Sequence, residues 1–378
     1  MLNKKILRGA VAGGTAAIII AIVLLWIIPQ SQPSQPLITP PPIQTPISHN
    51  IKLGLVIMPP TQTPTLAEIQ SAYQQAAATG IGRSNVYLTW PNIEPQQGQY
   101  NWKTSDILMG LNREQNLNVT LYFSVINDRV LGPFPSWMGK PQFDQKLQDE
   151  TVQTLDAVIS RYYIVDHVII GGDIDGYFRD HPNDIPDYVN FFDGVYSKLK
   201  AKHPDVKFGN WFSLNSVLNQ YQTDIVGKLN QGDFVAYSYY PIDSTGYEAQ
   251  SPEEEGKNLQ KMLDLADGKK IALVEVGWST AKSINGTTDD QVKFMKIVYD
   301  FYRKNNSQFE FLTWYRQYDR PVETCYNSLN QSPVGFGNDI VLNNTASLLC
   351  NMGLIDVDKN LKPAWTELKN QIQLSPNS

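Results

Sequence analysis

From Ile51 onward, short β-branched or aromatic runs alternate with longer amphipathic stretches, and this alternation limits the possible folds more than any other feature. The candidate strands are Lys52–Val56, Asn85–Thr89, Val119–Phe123, His167–Ile170, Val206–Asn210, Phe234–Ser238, Ile271–Glu275 and Phe309–Thr313. Helix-like segments lie between them: Leu66–Thr79, Gln145–Tyr162, Asp187–Ala201, Pro252–Ala266 and Asp290–Arg303. The run Ser251-Pro252-Glu253-Glu254-Glu255 reads as a helix start, with a capping Ser, Pro at the first helical position and acids at the positive dipole end. Eight strand-then-helix units in about 320 residues predict an α/β chain of the (β/α)₈ barrel type over residues 51–372. The first strand leads into Gly54-Leu55-Val56-Ile57-Met58-Pro59-Pro60, which is not a phosphate-cradling loop, so nucleotide-binding doubly wound folds lose ground.

The first 50 residues differ in kind. Residues 9–28 carry no charged side chain and end in a nearly continuous Ile/Val/Leu run. Twenty residues reach about 30 Å, the thickness of a bilayer's hydrocarbon core. Lys4, Lys5 and Arg8 form a basic stub at residues 1–8 that keeps the N-terminus in the cytoplasm by the positive-inside bias. Trp26-Ile27-Ile28-Pro29 offers no small-x-small cleavage site, which favours an uncleaved anchor in the lipid bilayer over a removed leader. Residues 29–50 hold seven prolines among Gln, Ser and Thr and read as a semi-rigid spacer. The expectation is a single-pass membrane protein with its large domain outside the cell. There, Cys325 and Cys350 are free to pair, which would stabilise by about 3.5 kcal/mol in the chain-entropy model.

The net charge is −6, and all the charge before residue 50 is positive, so nucleic acid is not the expected partner. Two cysteines and four scattered histidines supply no metal-ligand spacing, and no cofactor is expected. His167 opens the fourth strand, at the stability end of a barrel, and reads as structural. No Gly-x-Ser-x-Gly elbow is present.

Barrel chemistry gathers at the C-terminal ends of strands. Those ends carry Trp90, Gly172-Asp173, Trp211, Tyr239-Tyr240, Glu275 with Trp278, and Trp314. Two carboxylates, Asp173 and Glu275, thus reach opposite sides of the mouth among aromatic rings. Acetal cleavage needs one acid to protonate the leaving oxygen and one carboxylate at the oxocarbenium-like centre. Sugar C–H faces stack on aromatic rings. The alternative for each aromatic is that it merely closes the core. Glu275 ends the apolar run Ile271-Ala272-Leu273-Val274, where a carboxylate is costly unless paired or used.

In this order and spacing the motifs resemble glycoside hydrolase clan A, the (β/α)₈ retaining glycosidases that include β-glycanases and endo-galactanases. The matching pieces are Trp90-Pro91-Asn92-Ile93-Glu94-Pro95 with Gly98-Gln99-Tyr100-Asn101-Trp102, then Tyr239-Tyr240-Pro241 and Val274-Glu275-Val276-Gly277. Gly353-Leu354-Ile355-Asp356 and Lys362-Pro363-Ala364-Trp365 close the set. The resemblance implies Glu275 as nucleophile with Tyr240 donating a hydrogen bond to it. It implies Trp314 as the floor under the sugar. Trp90, Trp211, Tyr239, Tyr240 and Trp278 at the strand ends are the further candidate substrate contacts, and the expected substrate is a β-linked carbohydrate.

Strand four departs from the clan pattern, carrying Gly172-Asp173 where the clan has Asn-Glu, its acid/base being the Glu. Asn85 stands where the clan commonly has an arginine on strand two. Asp is shorter than Glu by about 1.5 Å of reach, while a retaining pair sits about 5–5.5 Å apart. Three outcomes stay open: a compensated retaining hydrolase with Asp173 as acid/base, a switched mechanism, or a catalytically impaired barrel that binds carbohydrate at the cell surface.

Overall fold

The computed structural model describes residues 49–220, 222–242, 250–331 and 338–376. The expected anchor at 9–28 lies outside the described residues, as does the spacer up to residue 48. Among the described residues no helix is long and apolar enough to cross a membrane.

Eight parallel strands close on themselves: β1 (Asn50–Leu55), β2 (Ile81–Tyr87), β3 (Asn118–Asn127), β4 (Val165–Gly172), β5 (Lys207–Ser213), β6 (Phe234–Tyr239), β7 (Lys270–Val276) and β8 (Phe309–Trp314). Each pairs with the next in sequence and β8 pairs with β1, so the expected (β/α)₈ barrel is what forms. A two-residue strand, Val130–Leu131, folds back antiparallel on the end of β3. Side chains alternate between the barrel interior and the helix layer, as the strand period of two requires. On β8 and just after it, Phe311 and Tyr315 point in with the inner cluster, while Leu312 and Trp314 pack outward. On β6 and just after it, Phe234, Ala236 and Tyr240 point in, and Val235, Tyr237 and Tyr239 point out.

β2 begins at Ile81, four residues before the expected start. Arg83 and Ser84 break the apolar run, but both are buried with polar partners: Arg83 bonds Asp166, and Ser84 bonds Asn112 on the helix Lys103–Glu114. The expected helix Pro252–Ala266 divides into Pro252–Gly256 and Leu259–Ala266. Its start is as expected, since Ser251 accepts from the backbone N–H of Glu254. Cys325 and Cys350 are bonded, joining the helices Val322–Asn330 and Asp339–Cys350 with their Cα atoms 5.9 Å apart.

Candidate functional site

Glu275 owes its direction to a register shift. Ile271 and Leu273 on β7 pack outward, so plain alternation would send Glu275 outward too. Ala236 pairs with Ala272 and Tyr237 with Leu273, but Ser238 pairs with Glu275, so β7 carries one residue more than β6 here. Such a bulge re-aims the side chains that follow it, and bulges are common beside active sites. Glu275 is turned into the mouth, where Tyr87 and Tyr240 donate their hydroxyls to its two oxygens. Asn85 donates to the Val274 carbonyl (2.8 Å) and so holds the bulge itself. Burial pushes the Glu275 carboxyl up to about 7, against the pull of the two tyrosines and the charge of Arg316.

Asp173 follows β4 in a left-handed conformation (φ 46°). One carboxyl oxygen accepts from Ser238 Oγ at 3.2 Å, and the other has no partner. Ser238 is the register neighbour of Glu275, so both carboxyls converge on one part of the mouth. Burial, then the nearby charges of Asp175, Asp128 and Glu275, raise the Asp173 carboxyl well above its ordinary range. A carboxyl raised in this way suits a proton donor. Asp128 is raised likewise, by burial and by Asp175. Asp175 accepts from the backbone N–H of Ser213 at 2.8 Å, a structural role.

Gly172, the departure from the clan pattern, has a steric cause. A Cβ there would lie 2.0 Å from the Tyr122 hydroxyl, which donates to Asn127 at 2.6 Å. Tyr122 therefore fills the space that a side chain at position 172 would need. A Cβ on Gly171 would meet the Tyr188 hydroxyl at 2.3 Å. Both glycines are demanded by packing.

The expected aromatic rim divides in two. Trp211 and Tyr240 do point into the barrel, Trp211 lying edge-on to Tyr122 at 5.3 Å. Trp90, Tyr239, Trp278 and Trp314 do not. Trp90 packs on Phe123 and donates to Glu94, and Tyr239 donates to Glu255 (2.6 Å). Trp278 and Trp314 both pack on Phe294 of the helix Thr288–Lys304. The place implied for Trp314 is taken by Tyr315, whose ring sits 5.3 Å from that of Tyr240. Strand parity decides this: Tyr315 shares a face with Phe311, and Trp314 does not. Sequence reasoning missed Tyr87, Tyr122, Ser238 and Tyr315, although parity with Asn85 and Phe311 would have found Tyr87 and Tyr315.

Other motif residues hold loops together. Glu94 accepts from Trp90, Thr154 and the Gly98 backbone. Lys362 pairs with Asp319 at 2.6 Å. His167 bonds Asp166 at the N-terminal end of the barrel, in keeping with a structural role.

Asp173 is 1% exposed and Glu275 0%, so both carboxyls are buried. A cavity of about 390 Å³ opens beside β1 and β2, lined by Met58, Asn85, Tyr87 and Asn92 among others. It touches the Glu275 network through Tyr87, but neither carboxylate lines it. Among the described residues no group of three or more His, Cys, Asp or Glu is arranged to hold a metal ion.

No protein-family model and no curated protein matches this sequence. Several solved structures share its fold. A GH5_18 protein from Bifidobacterium longum subsp. longum, in complex with Manβ1-4GlcNAc, matches at 16% identity over 87% of this chain and 80% of that one, with a TM-score of 0.63. An exo-β-1,4-mannosidase from Opitutaceae bacterium strain TAV5 matches at 14% identity over 85% and 59%, TM-score 0.62. A psychrophilic family 10 endo-β-1,4-xylanase matches at 12% identity over 85% and 96%, TM-score 0.58. What this chain shares with these glycoside hydrolases is the closed (β/α)₈ barrel.

Proposed function

We propose that the barrel is a glycoside hydrolase acting on β-linked oligo- or polysaccharide, tethered to the outer face of the cell membrane by residues 9–28. The observation that carries the hydrolase reading is Glu275, bulged inward onto two tyrosine hydroxyls, with the buried Asp173 carboxyl bonded to its register neighbour Ser238. Asp173 would protonate the departing glycosidic oxygen, and Glu275 would attack the anomeric carbon or stabilise its positive charge. Hydroxyls of Tyr87 and Tyr240 stabilise the charged carboxylate, and Trp211 and Tyr315 supply ring surface on the inner wall. The test is hydrolysis of a panel of chromogenic β-glycosides by the full-length protein, with the first-formed anomer read by NMR. A retained anomer places Glu275 as nucleophile; an inverted one makes it a base acting through water. Absence of turnover with every β-glycoside would refute the reading. The tether is supported by the uncharged segment and its basic flank, and is tested by protease protection of residues 1–8 in intact cells.

A second reading is a sugar-binding surface protein with little catalysis. Complete burial of both carboxyls and the Gly172-Asp173 pair favour it. Its mark is glycan binding without turnover.

A further inference from the structure

Buried charges in this molecule generally have partners: Arg83 lies 2.6 Å from Asp166, and Lys362 lies 2.6 Å from Asp319. The segment just after β8 breaks that rule. Arg316 is 0% exposed and Arg320 2%. Among the described residues, Nε and Nη2 of Arg316 and all three guanidinium nitrogens of Arg320 lack a hydrogen-bond partner. The remaining nitrogen of Arg316 reaches only the Tyr315 hydroxyl (3.3 Å) and Met58 Sδ (3.8 Å), neither of them an anion.

The acids on hand are taken. Asp319 is engaged by Lys362 and by the backbone N–H of Gly353, and Glu275 by its two tyrosines. Burial and the neighbouring Arg316 lower the Arg320 guanidinium to about 10, so it stays charged at neutral pH. Arg316 feels the charges of Glu275 and Asp319 at a distance, but buried guanidinium groups whose N–H donors meet no acceptor are destabilising. Among the described residues, in a chain with more acids than bases, no carboxylate accepts from these nitrogens. Such an arrangement is what a site looks like when its anion arrives with a ligand.

Its position points to the ligand. Tyr315, which Arg316 touches, packs on Tyr240, a donor to Glu275. Met58, also touched by Arg316, lines the same cavity as Asn85 and Tyr87, the other donor. Two rings, Tyr315 and Tyr240, therefore lie between Arg316 and the candidate catalytic carboxylate. We propose that Arg316 and Arg320 form a subsite for an oxyanion carried on the sugar substrate, a uronic-acid carboxylate or a sulfate ester, beside the residue held at Glu275. The planar fork of a guanidinium matches a carboxylate with two parallel hydrogen bonds, which a neutral hydroxyl cannot reproduce. This rests on the hydrolase reading for the meaning of Glu275, but not for the binding itself.

The experiment titrates full-length Glu275→Gln protein by calorimetry with three oligosaccharides of one β-linked backbone: one bearing glucuronic acid, one sulfated, one neutral. A charged ligand is expected to bind at least about tenfold more tightly than the neutral one, and which of the two does so identifies the oxyanion. Adding Arg320→Met is expected to reduce that preference to less than about threefold, while Arg320→Lys keeps part of it. Ligand-free Arg320→Met in the otherwise native chain is expected to melt at or above the native temperature, because an unpaired buried charge is gone. Equal affinity for all three ligands, or a preference untouched by Arg320→Met, overturns the subsite. Should Arg320→Met not fold, Arg320→Lys and competition by free glucuronate or inorganic sulfate decide the matter on the same terms. Hydrolysis of neutral glycosides with no charge preference leaves the proposed function standing and removes the subsite. Charge-selective binding by a protein that turns over nothing does the reverse.

Discussion

At the N-terminal end of the barrel, Arg83 meets Asp166, His167 bonds the same carboxylate, and Lys207 lies 2.5 Å from Glu310. At the mouth, one Asp173 oxygen and most guanidinium nitrogens of Arg316 and Arg320 have no hydrogen-bond partner among the described residues. The consequences for protonation are opposite. Below, burial favours it, yet His167 and Lys207 hold the Glu310 carboxyl down to about 2. Above, burial prevails and Glu275 is carried up to about 7. Charge at the bottom is matched within the chain and works for stability. Charge at the mouth is left unmatched, the condition in which a group can exchange a proton or accept a ligand.

The strongest challenge to this contrast is Glu275→Gln. Hydrolysis of an aryl β-glycoside is expected to fall to background while sugar binding persists. Stability at pH 8 should stay level or rise by roughly 1–3 kcal/mol, as read by urea unfolding. The sign follows from the raised folded-state value: between pH 4.5 and 7 the native carboxyl holds more protons than the unfolded one, so native stability declines as pH rises through that window. Glu310 acts the other way. Its stabilising share is complete above pH 4.5 and drains away as pH falls toward 2. A Glu275→Gln protein with full activity, or one sharply less stable at pH 8, would erase the distinction.

Asp173→Asn comes next, with kcat lowered by about 10²–10⁴-fold and the alkaline limb of the pH–rate profile lost. Arg83→Met tests the opposite end. It should cost roughly 3 kcal/mol in denaturant unfolding, by stripping Asp166 and His167 of their cation, yet leave the pH–rate profile unmoved. Tyr240→Phe has the smallest expected effect, about a tenfold loss of rate. It removes one donor to the charged form, so the acidic limb should move up by about one pH unit. An unshifted limb would mean that Tyr240 does not hold the reacting carboxylate.

The aromatic residues show how unevenly the site could be read in advance. Trp314 and Tyr315 are adjacent in the chain and nearly equal in size, yet one packs on Phe294 outside the barrel and the other on Tyr240 inside it. Resemblance drew attention to the tryptophan, whereas strand parity puts the tyrosine in the mouth. Asp173 and Glu275 were legible because carboxylates at the ends of apolar strands are rare and costly. Gly172 looked like a defect in a motif until Tyr122 was seen to occupy its space.

What the chain's order of residues determined by itself is the barrel: eight β-rich runs, each trailed by an amphipathic stretch, have few other ways to bury their apolar faces. The pairing of Cys325 with Cys350 was readable too, since only two cysteines exist. Only the tertiary structure decided which side chains meet at the mouth. One extra residue on β7 reverses the direction of Glu275, and whether it is extra depends on β6, a partner strand more than 30 residues earlier in the chain. Pairing register across a sheet is a long-range property, and no local pattern encodes it.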